Sequence, residues 1–535
     1  MPTKTELQQL QKLYKTDEKI GERLGGVPAY LVAYWRRKKN IPKYSLPKFS
    51  ETEIRNLWER YGDDEKCGLE LGISKAAFYN WRRRYGIREK PAFLKLEQLE
   101  FNFPGSRVSP HSAPLYGKQT ISQKILARAA DCEKVEAGET VAVEPGVTLA
   151  NGNIQAAIDA FRRAGVEYVW NPARIVVAPG PYRSDANTTA TADNRALREF
   201  AKRQGIRAFY DLREGAVSQV AMERGHLLPG HLSVSNDRHA AAYGALGTLG
   251  LRISEQELAT VWAEGKVSLT VPRTLHVSVT GRRARGVFAK DIALYLGRKL
   301  AADTLRGKAI EFAGSVISQM SISERFAIAD MASGIGAQAA LCPYDATIRR
   351  YLTGRTMTNY KPILPDKDAE YEQMFQISID HLPPQIATGP GLAEIKSVQE
   401  CEQIPISRIV LGFCTNGRFD DLRIAADVLK GQTVHADCQL FILPASRTVY
   451  LEALKKGLIR IFVEAGAVVL PAGSGPYVEA MMADLPDGEK VLSTGNWTNA
   501  PENKIASGDI YLCSPATAVV SALSGMITEP SRHVK

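Results

Sequence analysis

The chain has 535 residues, 44% of them hydrophobic and 24% charged, with a formal net charge of +10. That length is too great for one hydrophobic core, so about two to four domains are expected, and the composition excludes a disordered or collagen-like chain. No apolar run reaches the roughly 18 residues of a membrane span, and the polar start Met1-Pro2-Thr3-Lys4-Thr5-Glu6 lacks the apolar core of a secretory signal.

Seven cysteines, Cys67, Cys132, Cys342, Cys401, Cys414, Cys438 and Cys513, are scattered and form no C-x-x-C. That pattern argues against a disulfide framework and a structural zinc site, and the cytoplasm is the expected compartment. Charge is unevenly placed. Residues 1–90 hold 20 Lys and Arg against 12 Asp and Glu, a net of +8 out of the chain's +10. The basic character belongs to a separate N-terminal module, which points to a polyanionic partner.

That module is a tandem repeat, 1–45 and 46–91. Tyr14 to Gly25 aligns with Tyr61 to Gly72, and after a one-residue shift Trp35-Arg36-Arg37-Lys38 aligns with Trp81-Arg82-Arg83-Arg84 and Ile41 with Ile87. Each copy reads as three short helices. Ser50 with Glu53 forms a capping box, Ile54, Leu57, Trp58 and Tyr61 make an apolar stripe, Asp63 or Asp64 starts the next helix, and Ser74 caps 75–85. Val32 with Trp35, and Phe78 with Trp81, share a buried face at i,i+3. Tyr34, Arg36, Arg37 and Lys38, and Lys75, Tyr79, Asn80, Arg82, Arg83 and Arg84, are then expected to face outward. A Trp-anchored helix flanked by arginines resembles the recognition helix of helix-turn-helix domains, particularly those of transposases. The resemblance implies DNA as the partner. A solvated face or a protein partner are the alternatives. Residues 92–116, rich in Pro, Gly and Ser, read as a linker.

Beyond it, apolar runs such as Ile409-Val410-Leu411 and Leu440-Phe441-Ile442-Leu443 alternate with helical segments such as 421–430 and 449–456. Such alternation predicts an α/β body of mostly parallel sheets flanked by helices, preceded by the all-α module. Gly412-Phe413-Cys414-Thr415-Asn416-Gly417-Arg418 resembles the G-S-C-T-N-G-R signature of the aconitase and isopropylmalate dehydratase family. Tyr243-Gly244-Ala245-Leu246-Gly247, Ala289-Lys290-Asp291-Ile292-Ala293-Leu294, Ile310-Glu311-Phe312-Ala313-Gly314 and Ser514-Pro515-Ala516 extend that likeness in order. It implies a three-domain scaffold, with domains one and two in 117–388 and domain three in 389–535. A fourth, swivelling domain is often a separate subunit in this family.

The family's [4Fe–4S] cluster is held by three thiolates, but two ligand positions here are Ser474 and Tyr477, leaving Cys414 alone. No cofactor is therefore expected. The family's acid–base groups are also altered. Its D-H falls on Gly180-Pro181, its G-I-C-H-Q puts Ser218 in place of histidine, and its D-S-H-T becomes Asp237-Arg238-His239-Ala240. Glu311 matches the glutamate that pairs with the family's histidine, implying a Glu311–His239 dyad. N-M-x-x-E becomes Asp330-Met331-Ala332-Ser333-Gly334, and Trp497 replaces a substrate-gripping arginine. Asn416, Arg418, Ser446 and Asn496 are candidate ligand-binding residues, and Asp237, His239 and Glu311 candidate catalytic ones.

The leading expectation is an inactive aconitase-type scaffold that senses a carboxylate metabolite or assembles as an oligomer, fused to a DNA-binding module. The alternatives are a hydro-lyase or isomerase of the isopropylmalate dehydratase type working without a cluster, with a separate swivel-domain subunit, and a protein-binding accessory factor. No membrane role is expected.

Overall fold

The computed structural model describes residues 2–42, 49–61, 63–87, 118–151, 154–178, 189–211, 214–300, 302–388, 394–412, 416–472, 488–495 and 509–534. The chain divides into two units, Met1–Ser112 and Ala113–Lys535.

In the first unit each repeat is built of three helices, Lys4–Tyr14, Asp17–Arg23 and Ala29–Lys38, then Glu51–Tyr61, Asp64–Glu70 and Lys75–Arg84. Thr3, Thr16 and Ser74 accept hydrogen bonds from the first-turn amides of their helices, and Ser50 and Glu53 form the expected reciprocal box. Leu7, Ile20, Val32 and Ile41 make the core of the first copy, and Ile54, Trp58, Cys67, Phe78 and Ile87 that of the second. The turn between the second and third helices runs over a glycine in both. A Cβ at Gly21 would lie 2.0 Å from the Val27 carbonyl oxygen, and one at Gly68 2.8 Å from that of Ile73. Only glycine allows that approach.

The second unit holds three main sheets. The first is parallel throughout, in the order Ala208–Phe209, Ile175–Val177, Val147–Ala150, Leu232–Ser235, Leu249–Arg252. The second, also parallel, runs Ala339–Leu341, Ala309–Ala313, Thr274–Thr280, Gln373–Ser378. The third runs Glu394–Ser397, Gln385–Thr388, Asp509–Cys513, Lys490–Ser493, Arg408–Gly412, Gln439–Leu443, Val468–Val469, and only Gln385–Thr388 lies antiparallel to its neighbours. Gln385–Thr388, just ahead of the boundary expected at 389, pairs within this sheet. An antiparallel ribbon joins Thr140–Val143 to Val267–Thr270.

The strands are Val-, Ile- and Leu-rich because both faces are covered, as parallel sheets require. Leu149, Val176, Val177, Leu275, Val277, Ile409 and Leu411 are all buried. Among the described residues no helix is long and apolar enough to cross a membrane.

Candidate functional site

In the first sheet, the neighbouring strands Val147–Ala150 and Leu232–Ser235 end side by side, and their carboxyl ends carry the polar cluster. Ends of this kind are where α/β sheets present functional groups. Asn151 N donates to Asn236 Oδ1 at 2.9 Å, and Asn236 Nδ2 returns a bond to Asn151 O at 2.7 Å. Asp237 is buried beneath them. Its Oδ1 accepts from Asn151 Nδ2 at 3.3 Å and from the His239 amide at 3.2 Å, while its own amide donates to Ser235 Oγ at 3.0 Å. Asp237 therefore shapes the loop that presents His239.

His239 opens the 3-10 turn Ala240–Leu246, against which helix Ile322–Gly334 packs. Its Nδ1 stands 2.6 Å from Asp330 Oδ1, and Arg238 Nε donates to its Nε2 at 3.2 Å. A donor at Nε2 makes that nitrogen the acceptor, so the proton sits on Nδ1 and is given to the carboxylate. Asp330 is 1% exposed and His239 8%.

The expected Glu311–His239 dyad is not formed. Glu311, on strand Ala309–Ala313, accepts at Oε1 from the Ser122 amide (2.9 Å) and Oγ (3.1 Å), and at Oε2 from Tyr371 Oη (3.0 Å). Ser122 lies in the first turn of helix Ile121–Ala129, whose unpaired amides draw a carboxylate toward them. Burial nonetheless pushes the Glu311 carboxyl up to about 7. The partner of His239 is Asp330, which sequence reasoning passed over. The signal was present: Asp330 stands four residues before Gly334, where the family has glutamate, so both positions share one helix face.

The four candidate ligand-binding residues fare differently. Ser446 caps helix Arg447–Lys455, accepting from Val449 N at 3.1 Å, and donates to Glu223 Oε1 at 2.6 Å; Gln219 Nε2 donates to the same oxygen at 2.7 Å. Gly215 lets that segment approach, since a Cβ there would lie 2.5 Å from Ala445 O. Asn416 Nδ2 and the Arg418 amide donate to the two oxygens of Asp421 at 3.1 and 3.0 Å, and the Arg418 guanidinium lies 3.4 Å from the centroid of the Phe326 ring. Burial lifts the Asp421 carboxyl to about 6 against the opposing pull of Arg418. Asn416 and Arg418 are both buried. Asn496 lies outside the described residues, as do Cys414, Ser474, Tyr477, Gly180, Pro181 and Trp497. Ser218 is fully buried.

Lys290, wholly buried on helix Ala289–Lys299, sets its Nζ 3.3 Å from Met331 Sδ and 3.3 Å from Gly495 O. It ties the Asp330 helix to the strand end of the third sheet. Its neighbour Asp291 accepts from the Gln385 and Phe288 amides, and burial pushes it up to about 7.

Two of the arginines expected on the outer face of the N-terminal repeats are inside. Arg36 is 7% and Arg82 8% exposed. Each sits four residues after the buried Val32 or Phe78, on the same face, and each is held by an aspartate there. Tyr34, Arg37, Lys38, Lys75, Tyr79, Asn80, Arg83 and Arg84 are exposed, as expected.

Parallel sheets flanked by helices define an α/β scaffold, with a buried carboxylate–imidazole pair beside the strand ends of the first sheet. The model of the aconitase family (aconitate hydratase) matches residues 182–398 and 391–525. The large subunit 1 of 3-isopropylmalate dehydratase from Methanopyrus kandleri is 38% identical over 419 residues, 78% of this chain and 100% of that one. The probable methanogen homoaconitase large subunit of Methanosarcina mazei is 37% identical over 383 residues, 71% of this chain and 97% of its own. Among solved structures, Thermococcus kodakaraensis aconitase X (holo-form) aligns at a TM-score of 0.40 and 13% identity, covering 66% of this chain and 84% of that one.

The chain belongs to the aconitase family. Its relatives are large subunits of dehydratases and homoaconitases, which favours the hydro-lyase expectation over the inactive scaffold.

The family's cluster does not fit the donors that this sequence supplies. One thiol at Cys414 with hydroxyls at Ser474 and Tyr477 is not a thiolate set for a [4Fe–4S] cube.

Proposed function

We propose that the body is a hydro-lyase acting on a hydroxy-dicarboxylate of the isopropylmalate kind, with proton transfer carried by His239 and Asp330 and without an iron–sulfur cluster. The observation that carries the reading is the 2.6 Å contact of His239 Nδ1 with the buried Asp330 carboxylate, a pair that stands although Glu311 is engaged by Ser122 and Tyr371. A buried carboxylate that holds the imidazole in one tautomer is what proton transfer at Nε2 requires.

In this reading His239 Nε2 takes the proton from the carbon beside a substrate carboxylate, and Asp330 stabilises the imidazolium that results. The imidazolium returns the proton to the departing hydroxyl, which leaves as water as the C=C bond forms. Arg238, exposed and resting on Nε2, binds the substrate carboxylate and so uncovers the base. It takes over the anion grip lost at Trp497. The chain's relatives are named as large subunits, and a swivel-domain small subunit is the corresponding partner of this one.

The test is isopropylmalate isomerisation by chelator-treated protein, with and without the small subunit of a dehydratase, followed by ultraviolet absorbance of the unsaturated intermediate. His239→Ala is expected to abolish turnover, and Asp330→Asn to lower kcat by roughly 10²–10⁴-fold. Full activity in His239→Ala would refute the assignment.

A further inference from the structure

The proposed chemistry makes no use of the basic N-terminal unit, and its construction is specific. In the first repeat, Arg36 Nε and Nη2 fork onto the two oxygens of Asp17 at 3.1 and 3.0 Å, and Nη1 donates to Ile41 O at 3.2 Å. In the second, Arg82 does the same with Asp64 at 2.8 and 3.0 Å and with Ile87 O at 2.8 Å. A planar bidentate guanidinium pins the third helix of each copy to the start of the second and to the chain just beyond its own end. The same strut at equivalent positions fixes the third helix in the same way twice.

The residues left on the outer faces of those helices are the informative ones. Helix Ala29–Lys38 presents Tyr34, 54% exposed, with Arg37 and Lys38; helix Lys75–Arg84 presents Tyr79, 40% exposed, with Asn80, Arg83 and Arg84. Neither helix contains an Asp or Glu. Arg83 Nη1 donates to Tyr79 Oη at 3.3 Å, which steers the guanidinium along the helix face. Exposed aromatics and an amide between cations are not needed by either core, whose contacts come from Val32, Phe78 and the partly buried tryptophans Trp35 and Trp81.

We propose that the two repeats form a bipartite platform for duplex DNA. Tyr34, Arg37 and Lys38 of one helix and Tyr79, Asn80, Arg83 and Arg84 of the other face the groove and backbone, while Arg36 and Arg82 are withdrawn as struts. A duplex repeats its phosphates at fixed intervals and so offers two like helices the same group; an acidic protein surface has no such repeat. Tyr, Asn and Arg are also the side chains that reach base edges in the B-form major groove, a groove too deep and narrow in duplex RNA to admit them.

The test is fluorescence anisotropy of the full-length protein with a duplex of about 30 base pairs, titrated between about 50 and 200 mM salt. Four cations on phosphates give a log–log slope near −3.6, from about −0.9 per contact. Arg37→Ala with Lys38→Ala, and separately Arg83→Ala with Arg84→Ala, should each reduce the slope by about 1.8 and weaken binding at least tenfold, while Lys430→Ala in the body changes neither. Far-ultraviolet circular dichroism reports whether these surface variants remain helical. Absence of binding at the lowest salt, unchanged slopes in folded variants, or tighter binding to duplex RNA or to polyglutamate would each overturn the proposal. The isomerisation assay reads the other unit, so the two proposals fail separately.

Discussion

Arg36 and Arg82 illustrate how one residue in a basic run differs from its neighbours. In Trp81-Arg82-Arg83-Arg84 the three arginines are chemically identical, yet Arg82 is fixed by Asp64 and stacked 3.8 Å from the Trp58 ring centroid while Arg83 faces solvent. Removing Arg82 leaves the half-buried Asp64 carboxylate, its side chain 15% exposed, without its main partner, a loss of about 2 kcal/mol once solvent screening is allowed for. Arg82→Ala should therefore melt the second repeat by several degrees, whereas Arg83→Ala should leave the transition within about 0.5 kcal/mol of the parent. Thermal unfolding followed at the tryptophans reads both, and equal destabilisation by the two substitutions would contradict the strut. The distinction was legible in the helix phase, because Phe78 and Arg82 are i,i+4. The i,i+3 pair Phe78 and Trp81, taken alone as the buried face, placed Arg82 outside with the rest.

At the scale of the element, helix Ile322–Gly334 is the one that decides the site. Ser321 and Glu324 form its capping box, it packs on the 3-10 turn that His239 begins, and it delivers Asp330 to the imidazole. The family pattern led to Glu311 as the partner because motif matching carries a residue's identity but not the direction of its strand. Glu311 is instead captured by Ser122 and Tyr371 from segments distant in sequence, a pairing that no local pattern reveals. Moving the carboxylate one turn along the same face makes a direct test. Asp330→Ala should lose most turnover, and adding Gly334→Glu should recover at least tenfold of it. Failure of the double variant, with its fold intact, would mean that the position of the carboxylate on the helix matters in some way other than orienting His239.

For the whole molecule, the three-sheet frame and its landmarks were legible in the sequence, since buried parallel strands announce themselves as short Val, Ile and Leu runs. The placement of polar side chains within that frame was not, as it depends on which segments meet. One consequence is global. Glu311 and Asp291 are pushed up to about 7 by burial, and Asp421 to about 6. Each is neutral in the folded protein at pH 5 while its unfolded counterpart is already ionising. The stability that each contributes is thus full below about pH 4 and is lost as pH rises toward 7, Glu311 alone accounting for on the order of 3 kcal/mol. Glu311→Gln, which mimics the protonated acid, should match the parent near pH 4 and melt higher at pH 8. Identical melting curves at pH 8 would show that the buried carboxyl ionises there without cost.

The most direct test of the central claim pairs metal analysis with turnover on a single anaerobic preparation of the full chain. A cluster-free site built on His239 and Asp330 predicts colourless protein, iron and acid-labile sulfide far below one per chain, and isomerisation that survives chelation but not His239→Ala. Brown protein carrying about four irons and four sulfides, with activity that disappears when they are stripped, would contradict it.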